Sequence, residues 1–158
     1  MGLRRILTDK EPALHKVCKP VTSFDQKLHK LLDDMTETLI DSNGVGLAAP
    51  QVGILRRVVL VDTGEGILEL INPELIETDG EQVGPEGCLS VPGKYGLVKR
   101  PYYAKVRAQD REGNWYEAEG EELIARCFCH ELDNLDGIIY TQVMDRFLTD
   151  EELERDED

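Results

Sequence analysis

The most informative segment of this 158-residue chain is Cys129-His130-Glu131-Leu132-Asp133-Asn134, which lies in a predicted helix over residues 121–135. In the zinc-binding pattern His-Glu-x-x-His, two histidines on one helical face bind the same metal, and the adjacent Glu serves as general base. Here His130 and Glu131 are present, but Asn134 stands at the position of the second histidine. On its own, the segment is therefore weak evidence for a metal site.

The sequence outside this helix predicts one earlier helix and a block of strands. Apolar residues at helical spacing predict the earlier helix over residues 25–42, with a capping box from Ser23 to Gln26 and an end at Asn43-Gly44. Asn72-Pro73 is expected to stop one of the strands. The predicted strands cover residues 58–61, 67–71, 103–109 and 115–119. Two separate helices around antiparallel strands favour a single compact α+β domain over an alternating α/β fold.

The charge balance limits the partners that this chain can bind. Asp and Glu number 32 against 18 Lys and Arg, giving a formal net charge of −14 at pH 7. This charge argues against broad binding to phosphate, and so against direct DNA binding and anionic membranes. Much of the excess lies in residues 149–158, which are predicted to be a solvated acidic tail after a domain of residues 1–148.

Targeting signals are not found, which predicts a cytoplasmic protein. No apolar run reaches the roughly 18 residues that span a bilayer, and the first residues are too polar for a signal peptide. The chain has four cysteines: Cys18, Cys88, Cys127 and Cys129. In a reducing compartment they are expected to be thiols or metal ligands rather than disulfides.

A second candidate site is residues 86–90, Glu-Gly-Cys-Leu-Ser. Cys88 is predicted to lie in a loop, where the neighbouring glycine lets the backbone approach a ligand closely. Such a cysteine suits a thiolate ligand or a nucleophile, whereas most free cysteines are small buried hydrophobic residues. The segment alone leaves both interpretations open.

A third candidate, residues 44–53, matches the dinucleotide pattern G-x-G-x-x-A by letter. It follows a helix rather than a strand, and Pro50 prevents the usual helix start, so nucleotide binding is rejected. The glycines instead suggest a backbone that lies tight against a ligand or another strand. Gln51 is either a donor to a developing oxyanion or a satisfied structural amide.

Taken together and in order, the three segments resemble the signature motifs of peptide deformylases. Residues 44–51 resemble the first motif, residues 86–90 the second, and residues 130–134 the third with its last ligand changed. Residues 12–21 and Ile71-Asn72-Pro73 resemble other family segments. The likeness covers the chain from Ile6 to about Met144.

The resemblance implies a compact α+β domain with antiparallel strands packed around a central metal-binding helix. It also implies one divalent metal, Fe²⁺ in the cell or Zn²⁺ or Ni²⁺ in a preparation, with Cys88 and His130 as ligands and Asn134 at the third ligand's place. Glu131 would be the general base for the water that attacks the formyl carbon. Gln51 and the Leu89 backbone N–H would receive the oxyanion.

For the substrate, the resemblance implies N-formylmethionyl nascent peptides, delivered by a transient contact with the ribosome. The peptide would lie as an added strand along the backbone of Gly46 and Gly87. The residues that match positions around the methionine pocket are Val45, Leu123, Arg126 and Cys127. Because Arg126 is charged, its side chain is expected to point away from that pocket.

Asn134 leaves several alternatives open. An amide oxygen is a weaker ligand than imidazole for Fe, Ni or Zn. Asn134 is therefore an introduced substitution, or it marks a weakened or inactive relative, or its side chain still acts as a ligand and supports slow turnover. A non-enzymatic formyl-peptide-binding protein is the serious rival. A general metalloprotease does not need Cys88 and Gln51, and a thiol hydrolase leaves Glu131 unexplained. Cys129, where the family often has Gln, is expected to be a packing residue.

Overall fold

Eight strands and three α-helices form the part of the chain that the computed structural model describes, residues 2–156. The helices are α1 (Gln26–Ser42), α2 (Leu123–Leu135) and α3 (Asp150–Asp156). The strands are β1 (Gly46–Ala48), β2 (Val58–Asp62), β3 (Ile67–Asp79), β4 (Gln82–Cys88), β5 (Val91–Arg100), β6 (Tyr103–Gln109), β7 (Trp115–Glu121) and β8 (Arg146–Phe147). Short 3₁₀ turns lie at Pro12–His15, Ala49–Val52 and Tyr140–Gln142.

The strands form two antiparallel sheets. One has the order β1-β2-β3-β6-β7, and the other has the order β4-β5-β8. Helix α2 contacts strands of both sheets, and its Phe128 is fully buried among Val59, Leu70 and Val106. The predicted α+β class, with antiparallel strands around a central helix, is confirmed.

Helix α1 covers the larger sheet with an apolar face. Its residues Leu32, Met35 and Leu39 are buried against Leu60 of β2. The predicted capping box is wrong, because Asp25 is the N-cap and its carboxylate accepts a hydrogen bond from the Leu28 N–H at 3.1 Å.

Contrary to the prediction, strand β3 does not stop at Asn72-Pro73. It runs on to Asp79 through a register shift between Ile71 and Glu74. Asn72 adopts the left-handed conformation with φ 52°, and its side chain replaces the missing ladder bonds by accepting from Val21 N at 2.8 Å and donating to Val21 O at 2.9 Å. The bulge accommodates Pro73, which has no N–H to donate.

The hairpin of β4 and β5 was not predicted, and Cys88 ends a strand rather than lying in a loop. Strand β4 is not evident from the sequence because Gly84, Pro85 and Gly87 have low β propensity and interrupt the alternation of apolar and polar residues. The hairpin matters for function because it fixes Glu86 and Cys88 opposite helix α2.

Helix α3 lies in the segment predicted to be an acidic tail. Thr149 and Glu152 bond each other at its start, and Glu152 pairs with Arg146 at 2.7 Å. Glu157 and Asp158 lie outside the described residues, and the domain boundary at residue 148 stays a prediction. Within residues 2–156, no helix is long and apolar enough to cross a membrane.

Candidate active site

A cavity of about 500 Å³ opens between β1, the end of β4, the start of β5 and helix α2. It brings together segments that are far apart in sequence. The predicted site residues that line it are Val45, Gly46, Gln51, Gly87, Cys88, Leu89, Leu123, Arg126, Cys127, His130 and Glu131. Asn134 lies outside this lining and is buried beside Glu131.

His130 is held by a carboxylate on one side of its ring. Its Nδ1 lies 2.7 Å from Glu86 Oε2, and the imidazole is almost fully buried. An ionised carboxylate only accepts hydrogen bonds, so Nδ1 carries the proton and Nε2 is left for another partner. Nε2 lies 3.8 Å from Glu131 Oε2. Burial alone would lower the pKa of His130, but Glu131, Cys88 and Glu86 raise it well above the ordinary value.

Glu86 is the centre of a buried ion-pair network that sequence reasoning missed. Its Oε1 accepts from Arg100 Nε at 2.9 Å and from Arg126 Nη1 at 3.0 Å, and its Oε2 accepts from Arg100 Nη2 at 2.7 Å. Arg100 also bonds Asp133 at 2.7 Å. Burial opposes ionisation of Glu86, but the hydrogen bonds from Arg100 and His130 prevail and lower its pKa to about 2. Glu86 is therefore a fixed negative charge behind His130.

Glu131 is buried and has the properties of a general base. Burial raises its pKa to about 6, although His130 and the hydrogen bond from Asn134 oppose the rise. Its Oε1 accepts from Asn134 Nδ2 at 3.2 Å. On the other side lies Gly46, where an added Cβ would be 2.6 Å from both Glu131 Oε2 and Cys127 Sγ. A carboxyl group with a pKa near neutrality can both accept and return a proton.

Gln51 is anchored at one end and directed into the site at the other. Its Oε1 accepts from the Ala48 N–H at 2.9 Å, while its Nε2 donates to Ser90 Oγ at 3.1 Å and lies 3.5 Å from Cys88 Sγ. The amide is therefore structurally satisfied and is also a donor at the cavity wall. These two interpretations of Gln51 are compatible.

The residues present fit a divalent metal with one weak ligand. Cys88 and His130 line the same cavity, and a thiolate and an imidazole are good ligands for Fe, Ni or Zn. Asn134 Oδ1 is the buried side-chain atom without a hydrogen-bond partner in residues 2–156, and a buried unpaired acceptor costs about 1–3 kcal/mol. In that part of the chain, no three His, Cys, Asp or Glu side chains meet to hold a metal. The unpaired amide oxygen of Asn134 is thus a candidate for the third donor.

The residues predicted to surround the methionine side chain, here called the side-chain pocket, form a mixed wall. Val45 and Leu123 are exposed at its rim, whereas Cys127 is buried. Arg126 lines the cavity, but its guanidinium turns inward to Glu86 and to the Val98 carbonyl, at 3.1 Å. Cys129 is buried in the core around Phe128, which is the packing role expected from the sequence.

An imidazole, a thiol and a buried carboxylate of raised pKa around one cavity are the groups of a metal-dependent hydrolase. The family model for polypeptide deformylase matches residues 3–149. A curated peptide deformylase of Agathobacter rectalis is 57% identical over 150 residues, covering 95% of each chain. The crystal structure of peptide deformylase from Thermotoga maritima is 42% identical with a TM-score of 0.87, covering 90% of this chain and 97% of that one. This chain belongs to the peptide deformylase family, whose members are metal-dependent and remove the formyl group from nascent peptides.

Proposed function

We propose that this chain hydrolyses the N-formyl group of formyl-methionyl nascent peptides, at a rate reduced by Asn134. The observation that supports this most is the buried Glu131, which meets His130 in a cavity that Cys88 and Gln51 also line. Cys88 and His130 would hold one divalent ion, Fe²⁺ in the cell and Zn²⁺ or Ni²⁺ in a preparation, with Asn134 as the third and weakest ligand. When bound, the ion supplies Lewis acidity that polarises a carbonyl and lowers the pKa of water.

The protein's own residues handle the proton and the developing charge. Glu131 takes a proton from the attacking water and returns it to the departing amine, for which its pKa of about 6 is suited. Gln51 Nε2 and the Leu89 backbone N–H donate to the oxygen that gains charge at the formyl carbon. The anchoring of the Gln51 carbonyl end by Ala48 keeps its donor in place.

The substrate lies along the backbone of Gly46 and Gly87, with its first side chain between Val45, Leu123, Arg126 and Cys127. A net charge of −14 disfavours stable docking on RNA and binding to DNA, so the proposed ribosome contact is transient. A nascent-chain substrate places the activity in the cytoplasm.

The test is formyl release from formyl-Met-Ala-Ser under anaerobic Fe(II) or Ni(II), comparing this chain with Asn134→His. Restoring an imidazole should raise the rate at least about 100-fold, because even outer groups of a metal site change activity 10–100-fold. Glu131→Gln in the Asn134→His background is the matched control and should lose that gain. If neither chain releases formate although both fold, the proposed activity is wrong.

The alternative is a catalytically inactive relative that binds formylated peptides. The observation that favours it is Asn134, whose side chain bonds Glu131 through Nδ2. Calorimetric binding of formyl-Met-Ala-Ser with no turnover under Fe(II), Ni(II) or Zn(II) would establish it. Measurable turnover by the chain as it stands would exclude it.

A further inference from the structure

Arg126 joins the side-chain pocket to the histidine of the site through a single carboxylate. The guanidinium is almost fully buried, its Nη1 lies 3.0 Å from Glu86 Oε1, and Glu86 Oε2 lies 2.7 Å from His130 Nδ1. The same arginine lines the cavity. One side chain thus contacts both the space that a substrate side chain would fill and the group that orients His130.

Arg100 does not make this link, because it is not among the residues that line the cavity. It holds Glu86 from β5 and is itself tied to Asp133 at 2.7 Å. Arg126 approaches from helix α2, one turn before His130, and is fixed by the Val98 carbonyl at 3.1 Å. Arg100 bonds both oxygens of Glu86, and Arg126 adds a further bond at Oε1 that helps to hold the carboxylate against the imidazole.

We infer that Arg126 is a positioning residue that couples occupancy of the side-chain pocket to the orientation of His130 through Glu86. A long apolar side chain in the pocket packs on the hydrocarbon stem of Arg126 and holds its guanidinium on Glu86. A short side chain leaves that stem free. The pocket would therefore favour methionine by fixing the reactive groups as well as by binding, which raises kcat as well as lowering KM.

The coupling to the pocket rests on the proposed function, but the Arg126–Glu86–His130 link can be tested without it. The chain has only three histidines, so a ¹⁵N-histidine-labelled sample gives few ring signals. His15 and His29 bond the backbone carbonyls of Asp9 and Arg111 and serve as internal references. The readout is the solvent exchange rate of the His130 Nδ1 proton at fixed pH in the metal-free, full-length chain.

Arg126→Met keeps the apolar stem and removes the hydrogen bonds, and Arg126→Lys keeps the charge. In Arg126→Met the His130 ring proton should exchange about tenfold faster, the change expected on loss of one ordinary hydrogen bond, while Arg126→Lys should lie in between. Glu86→Gln is the positive control for sensitivity. An unchanged exchange rate of the His130 Nδ1 proton in folded Arg126→Met overturns the inference.

The second measurement adds the unformylated peptides Met-Ala-Ser and Ala-Ala-Ser as probes. The methionine peptide should shift the His130 signal in the parent chain and not in Arg126→Met, and the alanine peptide should shift neither. If the exchange rates change as expected but the methionine peptide has no effect on the parent chain, the link through Glu86 exists and the coupling to the pocket is wrong.

Steady-state rates give a separate check, because the kcat advantage of formyl-Met over formyl-Ala peptides should fall at least about tenfold in Arg126→Met. Formyl-peptide turnover that is absent while the exchange rates change contradicts the proposed function instead.

Discussion

The contact between Gly46 and Glu131 gives the sharpest test of how the site is built. Gly46 has an ordinary backbone conformation, so alanine brings no φ strain. Its methyl group would lie 2.6 Å from Glu131 Oε2 and from Cys127 Sγ, whereas ordinary contact begins at 3.4 Å. Both groups must therefore give way by about 0.8 Å, and both are buried. Since a misplacement of about 1 Å costs about 100-fold in rate, kcat/KM for formyl release should fall about 100-fold in Gly46→Ala.

The assay is release of formate from formyl-Met-Ala-Ser by the Ni(II)-loaded enzyme, in the chain as it stands and in the Asn134→His background. Gly84→Ala is the matched control, because Gly84 is also a strand glycine and its methyl would meet only Arg126 Nη2 at 3.6 Å. It should change kcat/KM by less than about threefold, or under about 1 kcal/mol. A folded Gly46→Ala enzyme within threefold of its parent would refute the reasoning, and so would an equal loss in Gly84→Ala.

Three further predictions concern stability, each measured by urea unfolding. Asn72→Ala should lower the free energy of unfolding by about 2–4 kcal/mol, because it places alanine at φ 52° and removes three hydrogen bonds, whereas Asn72→Gly should recover the backbone part. Gly137→Ala should cost at least about 1 kcal/mol more than Gly64→Ala, because both have positive φ but only the first methyl meets backbone, at 2.8 Å from His15 C. Burial alone would raise the pKa of Asp34, but hydrogen bonds from Arg4 and Lys30 outweigh burial and lower the pKa below its ordinary value. Ionised Asp34 therefore stabilises the fold above the unfolded pKa of about 3.9, and this stabilisation is lost as pH falls through the folded pKa. The destabilisation by Asp34→Asn should accordingly be larger at pH 7 than at pH 3, and an equal effect at both values would contradict it.

Local patterns predicted the elements whose signal lies within a few residues. Helix α2 follows from helical spacing, and the hairpin of β6 and β7 follows from two strand-like runs around a polar turn. The end of β3 was wrong for a physical reason. Asn72-Pro73 is a common strand breaker, and it is tolerated here only because Asn72 bonds Val21 and Gln109, which are far away in sequence. A local rule cannot include partners that only the fold supplies.

The same reasoning separates the parts of the site. His130, Glu131 and Cys88 stand in recognisable motifs, so their residue types point to metal chemistry. Glu86 lies in the same motif as Cys88, but its role depends on Arg100, which meets it only when β4 pairs with β5. Arg126 was expected to turn away from its pocket because charge is costly there, and a buried acidic partner removes that cost.

The hydrogen bonding of the site also bears on how much depends on Asn134. Glu86 has all its partners, and Gln51 is bonded at both ends. Neither set of bonds involves residue 134, so the groups that orient His130 and present the Gln51 donor do not require an imidazole there. Among the described residues, the buried side-chain polar atom without a hydrogen-bond partner is Asn134 Oδ1. The proposed impairment would thus be confined to one donor and to its hydrogen bond with Glu131, which is why a single Asn134→His change is expected to act without rebuilding the site.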